Sequence, residues 1–153
     1  MKIKLLALFA IMLFSSCNGN AVFKQLDTDF EENRWQRTDV KSYDFTIEQD
    51  GNYDLEIDFS YVADVQFAEI PIYFQFVNPQ GQIETKDVII QTKDATGGDV
   101  GDCSGDYCDM DYPVFKNKSL KAGKYTVKLT NAFNNAYLPN VLGIGIEVNP
   151  SGK

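Results

Sequence analysis

The residues with the clearest chemical potential lie in "DCSGDYCD", residues 102–109, where Cys103 and Cys108 are five positions apart. Such a pair could form a disulfide, hold a metal ion or carry out thiol–disulfide exchange. A structural zinc site takes four ligands, and the chain has no histidine to complete one. Redox catalysis favours a Cys-x-x-Cys spacing, which is absent here. A disulfide is therefore predicted if the protein is exported, because disulfides persist in oxidising compartments.

The third cysteine, Cys17, follows an apolar run of about ten residues that begins after Lys2 and Lys4. A membrane-spanning helix needs about 20 apolar residues, so this run has the features of a signal peptide instead. "LFSSC", residues 13–17, resembles a bacterial lipobox, in which Cys17 is lipidated and becomes the mature N-terminus. This assignment leaves Cys103 and Cys108 as an even pair. The alternative is an ordinary signal peptide with Cys17 free or paired.

These assignments divide the chain into residues 1–16 as a lipoprotein signal peptide, 17–22 as the lipidated N-terminus and a short tether, 23–149 as one domain and 150–153 as a C-terminal tail. Acyl chains such as palmitate would anchor the protein in the cell membrane or the outer membrane. The residues after Cys17 are "NGN" and lack the acidic signal for surface export that some bacterial lipoproteins carry. The protein is therefore expected to face the periplasm.

The segment around the cysteine pair, "GGDVGDCSGDYCDMD", is rich in acidic residues and glycine. Calcium binds six to eight oxygens from flexible acidic loops, although the spacing here does not match an EF-hand. A solvated acidic loop closed by a disulfide is the favoured interpretation, and exposed aromatics at Tyr107 and Tyr112 could make a protein contact. The candidate calcium ligands are Asp99, Asp102, Asp106, Asp109 and Asp111.

Histidine is absent from all 153 residues. This absence removes Ser-His-Asp and Cys-His nucleophilic schemes and most catalytic metal sites. Carboxylate-only catalysis, as in glycoside hydrolysis, remains formally possible, but no spacing singles out a pair among the 22 acidic residues. The expectation is a protein that is not an enzyme, with no catalytic residues and no cofactor apart from the calcium alternative.

The balance of charge is strongly acidic, with a formal net charge of −8. Residues 1–16 contain Lys2 and Lys4 and no acidic residue, so their removal takes the net charge from −8 to −10. Phosphate binding requires a basic patch, and none is evident. Nucleic acid is therefore excluded as a partner. Because an acidic protein is not attracted to anionic lipid headgroups, we expect the acyl chains on Cys17 to provide the attachment to the membrane.

Apolar and polar residues alternate through almost the whole chain, which predicts β-strands. In "YDLEIDFSY", residues 53–61, the apolar side chains share one face, and Asp54, Glu56, Asp58 and Ser60 form a solvated outer face. "NPQG", residues 78–81, predicts a turn into a hairpin, and the alternation slips between Ile83 and Val88, where a bulge would fit. Further strands are predicted in 42–48, 70–77, 124–130 and 141–148. Their apolar faces consist of Tyr43, Phe45 and Ile47 in the first, Ile70, Ile72, Phe74 and Phe76 in the second, Tyr125, Val127 and Leu129 in the third, and Leu142, Ile144, Ile146 and Val148 in the last.

Six to eight such strands and no convincing long amphipathic helix predict an all-β protein. The expected fold is a single-domain antiparallel β-sandwich, of jelly-roll or immunoglobulin-like type. "DGNYDLEI" and "AGKYTVKL" share Gly-x-Tyr before alternating apolar residues. We expect Tyr53 and Tyr125 to be core residues whose hydroxyls bond the backbone, as in a tyrosine corner, and prefer this to a ligand-stacking role.

Several segments together resemble the gliding motility lipoprotein GldH family. They are the lipobox, "FKQLDTDFEENRWQRTD", the "YDFTI" strand, the "NPQG" hairpin, "LKAGKYTVKLTNAF" and "LPNVLGIGIEV". The Trp35 segment and "LPNVLGIGIEV" are the most specific of them. The resemblance covers nearly the whole mature chain and implies an anchored accessory protein of the gliding apparatus, whose members are also linked to type IX secretion. It implies no catalytic residues.

The combined expectation is a lipid-anchored protein that binds other envelope proteins of a gliding or secretion complex. A glycan-binding sandwich is the alternative from another class. A row of exposed aromatics on one sheet face would favour the glycan alternative, whereas an apolar patch on an edge or loop would favour a protein partner.

Overall fold

A computed structural model describes residues 21–152, which form an antiparallel β-sandwich and contain one 3-10 turn at Glu31–Asn33 but no α-helix. The fold class predicted from alternation is therefore confirmed. The predicted lipidation site, Cys17, lies outside the described residues. There are eleven strands rather than six to eight: β1 (Phe23–Asp27), β2 (Trp35–Gln36), β3 (Lys41–Ile47), β4 (Gly51–Val62), β5 (Glu69–Val77), β6 (Ile83–Gln91), β7 (Asp102–Ser104), β8 (Tyr107–Leu120), β9 (Gly123–Asn131), β10 (Tyr137–Leu138) and β11 (Val141–Pro150).

Two main sheets enclose the core. The first has the order β1-β11-β4-β8-β7 and the second the order β3-β9-β5-β6, while β10 and β2 form a small third sheet. All strand pairs are antiparallel. Within residues 21–152 no helix has the length and hydrophobicity needed to cross a bilayer.

The core is built from the faces that the alternation predicted. In β4 the five predicted inward residues, from Tyr53 to Tyr61, are all buried, and the same holds for the predicted inward residues of β3, β5 and β9. Several of the aromatic rings contact one another across the two sheets, as Phe74 and Phe76 do with Phe115. Removing these apolar surfaces from water stabilises the sandwich by roughly 25 cal/mol per Å² buried.

The β5–β6 hairpin forms at the predicted turn but without the expected bulge. The register runs unbroken from Glu69 opposite Gln91 to Val77 opposite Ile83. Val88 is buried on the inner face, whereas Ile83 lies on the outer face and is exposed. The alternation of apolar and polar residues is therefore interrupted because apolar Ile83 is exposed to solvent, and not because an extra residue is inserted in the strand.

One predicted core position in β11 is wrong because the strand carries an irregularity at its start. The register with β4 shifts between Val141 and Gly143, so Val141 is fully buried and Leu142 is only partly buried. Ile144, Ile146 and Val148 lie inward as predicted.

The two most specific segments of the family resemblance meet in space. Leu138, just before β11, pairs with Trp35 across the small sheet. Trp35 is fully buried, donates its indole N–H to the Asp39 carbonyl at 2.8 Å, and accepts a bond at its own carbonyl from the Asn131 side chain at 2.9 Å. This third sheet therefore contributes Trp35 and Leu138 to the core.

Candidate interaction surface

The acidic segment around the cysteines is largely a β-hairpin rather than a loop. Strands β7 and β8 pair directly at Cys103 and Cys108, which form a disulfide. Gly105 provides the turn with φ of +64°, a conformation that glycine adopts without steric cost. The hairpin is tied to the end of β4 because the Ala63 amide donates to the Asp106 carbonyl at 2.9 Å.

The chain leading into this hairpin is held by polar contacts around Asp99. Lys93 pairs with Asp99 Oδ1 at 2.9 Å, and the Asp64 amide donates to Asp99 Oδ2 at 2.9 Å. Desolvation raises the pKa of Asp99, but the Lys93 and Asp64 bonds outweigh it, so the pKa lies below its usual value. The Gly101 amide donates to the Tyr61 hydroxyl at 3.3 Å. Burial raises the pKa of that hydroxyl.

The five candidate calcium ligands are distributed over separate places. Asp99 contacts Lys93, Asp106 lies at the hairpin turn, and Asp102 lies opposite Asp109. Asp111 lies opposite Asp58 of β4. Within residues 21–152, one group of three potential ligands has its atoms within 4.8 Å of one another: Asp99, Cys103 and Cys108. Its two sulfurs are bonded to each other, so they are not thiolate ligands.

The hairpin region exposes apolar surface at Val100 and Tyr107, which are about half exposed. Tyr112, the other aromatic predicted to be available for contact, is partly buried against the core. Tyr107 is thus the aromatic of this region that a partner could reach. Aromatic side chains are enriched at protein interfaces relative to the rest of the surface.

Exposed apolar side chains also lie on β6, the edge strand of the second sheet. Ile83 and Ile89 are exposed on its outer face, and Tyr73 of the neighbouring β5 is also exposed. The large exposed aromatics of residues 21–152 are Tyr73 and Tyr107, which belong to different sheets. The described residues therefore expose apolar side chains on an edge strand and near the β7–β8 hairpin, but they contain no row of exposed aromatics.

Sequence analysis missed an ionic cluster on the outer face of the first sheet. Asp58, predicted to be solvated, is only 6% exposed. Lys24 of β1 contacts Asp58 Oδ2 at 3.1 Å and also bonds Glu147 of β11. Burial raises the pKa of Asp58 despite Lys24. The hydrogen bond to Glu147 is the main reason that the pKa of Lys24 lies above its usual value, and the pKa of Glu147 is correspondingly lowered.

The start of the described chain and the hairpin lie at opposite ends of the first sheet. Phe23 lies opposite Val148, which lies opposite Leu55, whereas Tyr107 lies opposite Val62. Leu55 and Val62 are seven positions apart in β4, which corresponds to about 23 Å at roughly 3.3 Å per residue. A tether attached before Phe23 therefore enters at the end remote from the hairpin.

Comparison with known protein families gives a match to the GldH lipoprotein family over residues 22–148. The match covers every strand from β1 through nearly all of β11. No curated protein matches the chain significantly. The chain belongs to the GldH lipoprotein family, which makes it a lipoprotein of the gliding-motility context with membrane anchoring in the cell envelope.

Proposed function

We propose that this member of the GldH lipoprotein family is a non-catalytic part of a gliding or associated secretion complex. In this proposal it binds another envelope protein. The observation that carries the proposal is the exposed pair Val100 and Tyr107 at the end of the sheet remote from Phe23. A domain anchored at one end and apolar at the other is suited to hold a partner at a fixed height above a membrane.

Lipidation of Cys17 would place the domain close to the bilayer. Val22 lies five positions after Cys17, and pairing with β11 begins there through a 2.8 Å bond from the Val22 amide to the Val148 carbonyl. An extended chain of that length reaches about 18 Å. The hairpin would then project away from the membrane into the periplasm. Because the anchored protein and a partner on the same membrane cannot diffuse apart freely, the effective concentration of the partner near the hairpin is raised.

The hairpin is also prepared for binding by its own bonds. The disulfide and the contact of Ala63 with Asp106 restrict its conformations in the free protein. Ordering a flexible loop costs free energy on association, and a loop that is already ordered avoids much of that cost. Loops carried on a rigid sandwich are frequent sites of protein contact.

The experiment compares two double variants purified from their own membranes with any bound proteins. Val100→Ser with Tyr107→Ser removes the apolar surface of the hairpin, and Ile83→Ser with Ile89→Ser removes a matched amount from β6. All four side chains are exposed, so both variants are expected to keep the wild-type melting midpoint. Loss of the co-purifying protein in the hairpin variant alone supports the proposal.

If the hairpin variant recovers as much co-purifying protein as the wild type, the hairpin is not the contact surface. If only the β6 variant loses the co-purifying protein, the contact surface lies on the edge strand instead. Recovery of polysaccharide in place of protein would favour the glycan-binding alternative, which predicts a loss of capture when exposed Tyr73 is changed to Ala.

A further inference from the structure

The negative charge of the domain is concentrated at its hairpin end. Residues 94–111 contain six aspartates and neither lysine nor arginine, whereas residues 112–146 contain five lysines and no acidic residue. Strand β8 connects the two stretches, from exposed Tyr107 at the hairpin to buried Leu120 at the opposite end. The acidic net charge, from which no attraction to anionic lipid was predicted, therefore does not describe the end that lies away from the hairpin.

The lysine-rich end is also the end at which the tether enters. Leu120 lies opposite Gly51 of β4. Phe23 lies opposite Val148, which lies opposite Leu55 of β4. Gly51 and Leu55 are four positions apart, so the turn after Leu120 lies about 13 Å beyond Phe23 in the direction away from the hairpin. An anchor that holds Phe23 near a bilayer therefore brings this turn close to the lipid headgroups.

A cleft of about 310 Å³ opens at this end, between the β5–β6 turn and the β8–β9 turn. Binding sites for small ligands begin at about 300 Å³. Ammonium, hydroxyl and amide side chains line the cleft, namely those of Lys118, Lys121, Ser119, Asn78, Gln80 and Gln82. All of these groups donate hydrogen bonds, and phosphate oxygens accept such bonds strongly when the donor is charged. The lining therefore suits a phosphate that carries further ester or hydroxyl oxygens.

The ammonium groups in the cleft are available to an anion. Lys121 is 76% exposed, and its contact with exposed Asp50 at 2.9 Å is of a kind that contributes little to stability. Lys118 contacts Glu84, which also lines the cleft. An ammonium group has three N–H donors, so a contact with one carboxylate leaves donors free for a phosphate.

The charges around the β8–β9 turn balance one another. Besides Lys118 and Lys121, the turn is flanked by Lys116 and Lys124, which are exposed and form no ion pair within residues 21–152. The carboxylates close to the turn are those of Glu48, Asp50, Asp54 and Glu84. In the hairpin region, by contrast, the one described ion pair of the aspartates in residues 94–111 is with Lys93. An anionic bilayer surface therefore repels the hairpin end more than the end with the cleft.

We propose that this cleft binds the phosphate of an anionic phospholipid in the leaflet that holds the acyl anchor. Lys121 and Lys118 neutralise the phosphate, and Ser119 with the amide side chains bonds the remaining oxygens of the headgroup. Ile83, which also lines the cleft and is 62% exposed, contacts the apolar boundary beneath the headgroups. The lipid contact holds the sandwich upright, with Tyr107 directed away from the membrane. It depends on the lipid anchor and is independent of the protein partner proposed for the hairpin.

The test places the full-length lipoprotein in nanodiscs of phosphatidylcholine, with or without phosphatidylglycerol, and measures amide exchange in residues 116–124. Phosphatidylglycerol is expected to slow this exchange in the wild type and to leave exchange in residues 102–108 unchanged. Lys121→Glu should reduce the slowing by about tenfold, because each lysine near an anionic surface contributes to attraction. The matched control is Lys128→Glu, which makes the same change in net charge at an exposed position outside the cleft and should keep the slowing. Each variant is compared between the two lipid compositions, so an effect of the substitution on local stability cancels.

Inorganic phosphate added to the phosphatidylcholine nanodiscs distinguishes a lipid headgroup from free phosphate. It should not slow the exchange, and slowing equal to that by phosphatidylglycerol would overturn the lipid as the ligand. A wild type that phosphatidylglycerol does not protect would overturn the proposal, as would full protection in Lys121→Glu. Equal loss of protection in Lys121→Glu and Lys128→Glu would also overturn it, because general attraction would then account for the effect without the cleft. None of these outcomes affects capture of a partner through Val100 and Tyr107, which is measured separately.

Discussion

The backbone of Gln25 occupies the space into which a side chain on Gly145 would extend. An ideal Cβ built on Gly145 would overlap the Gln25 carbonyl oxygen and lie 2.8 Å from the Cα atom of Leu26. Strand β1 therefore lies close against β11 at this point, and the alternation of glycine with isoleucine in "LGIGIEV" has a steric reason. The same strand carries Lys24 and is the one to which the N-terminal tether connects.

Gly145→Ala is accordingly expected to displace β1 and to lower the free energy of unfolding by about 1–3 kcal/mol, the usual cost of overpacking. Gly143→Ala is the matched control. Its added Cβ would lie 3.2 Å from the tips of the Leu26 and Ser60 side chains, which can move aside. Chemical denaturation of both variants tests this difference, and equal losses would mean that the close approach of β1 has no energetic consequence.

Alternation was sufficient to predict the inward faces of β3, β4, β5 and β9, because burying one face of a strand requires a repeat of two. Alternation did not predict the burial of Asp58, because Asp58 lies on the same outer face of β4 as Asp54, Glu56 and Ser60, which was predicted to be solvated. That burial depends on the cross-strand neighbour Gly145, which has no side chain, and on the close approach of β1. These contacts join parts of the chain that are far apart in sequence.

The hairpin β7–β8 was predicted as a loop for a different reason. Glycine and aspartate are depleted in strands, and they dominate residues 97–111. Pairing with β4 and the disulfide override that local preference. In β6 the residue types predicted a strand correctly, but the slip in alternation between Ile83 and Val88 was interpreted as a bulge. The register is in fact unbroken, and Ile83 is an apolar residue exposed on the outer face.

The two Gly-x-Tyr segments allow a test of the tyrosine hydroxyls. The Tyr53 hydroxyl donates to the Gln49 carbonyl at 2.8 Å, and the Tyr125 hydroxyl donates to the Lys121 carbonyl at 2.9 Å, as the tyrosine-corner interpretation predicted. Changing either tyrosine to phenylalanine should lower the free energy of unfolding by about 1 kcal/mol.

The loss should be larger at position 125, because the Tyr125 hydroxyl also accepts a bond from the Lys121 amide at 3.1 Å. Tyr73→Phe is the control, since that ring is exposed, and it should be nearly neutral. Equilibrium unfolding in urea gives all three values. A Tyr73→Phe loss as large as the other two would contradict a specific role for the buried hydroxyls.

The buried environment of the Tyr43 hydroxyl determines how the free energy of unfolding should change at high pH. Its hydroxyl is buried, 2.9 Å from the Ile144 carbonyl and 3.0 Å from Asp27 Oδ2. Burial, with the charge of Asp27, raises the pKa of Tyr43 well above its usual value. The folded state therefore holds this proton more tightly than the unfolded state does. The stabilisation is complete below the unfolded pKa of about 10 and decreases as the pH rises above it.

Tyr43→Phe should accordingly be less stable than the wild type at pH 7 and should lose less stability between pH 10 and pH 11. Denaturation midpoints across this range, with tyrosinate absorbance recorded in parallel, provide the measurement. An alkaline decrease of the same slope in both proteins would show that other groups account for it.

Lipidation of Cys17 can be tested by phase partitioning. Each buried CH₂ of an acyl chain contributes about 0.8 kcal/mol, so several chains hold a protein firmly in a bilayer. The wild type should enter the detergent phase, and Cys17→Ala should remain in the aqueous phase or accumulate as precursor. A wild type that already partitions into water would contradict the lipid anchor.

The disulfide should stabilise the hairpin more than the sandwich as a whole. On the chain-entropy estimate, a loop as short as that between Cys103 and Cys108 contributes about 2 kcal/mol. Reduction, or the double change of both cysteines to alanine, should therefore lower the melting midpoint by several degrees and leave the folded core in place. Amide exchange should accelerate in residues 102–112, where the paired strands are short or lie at an edge, and stay slow in the centre of β4, which is paired on both sides.

Labelling of the unreduced, unfolded protein should detect no free thiol at either position. Two free thiols would contradict the bond, and exchange that accelerates equally throughout β4 would show that the disulfide supports the whole sandwich rather than its hairpin.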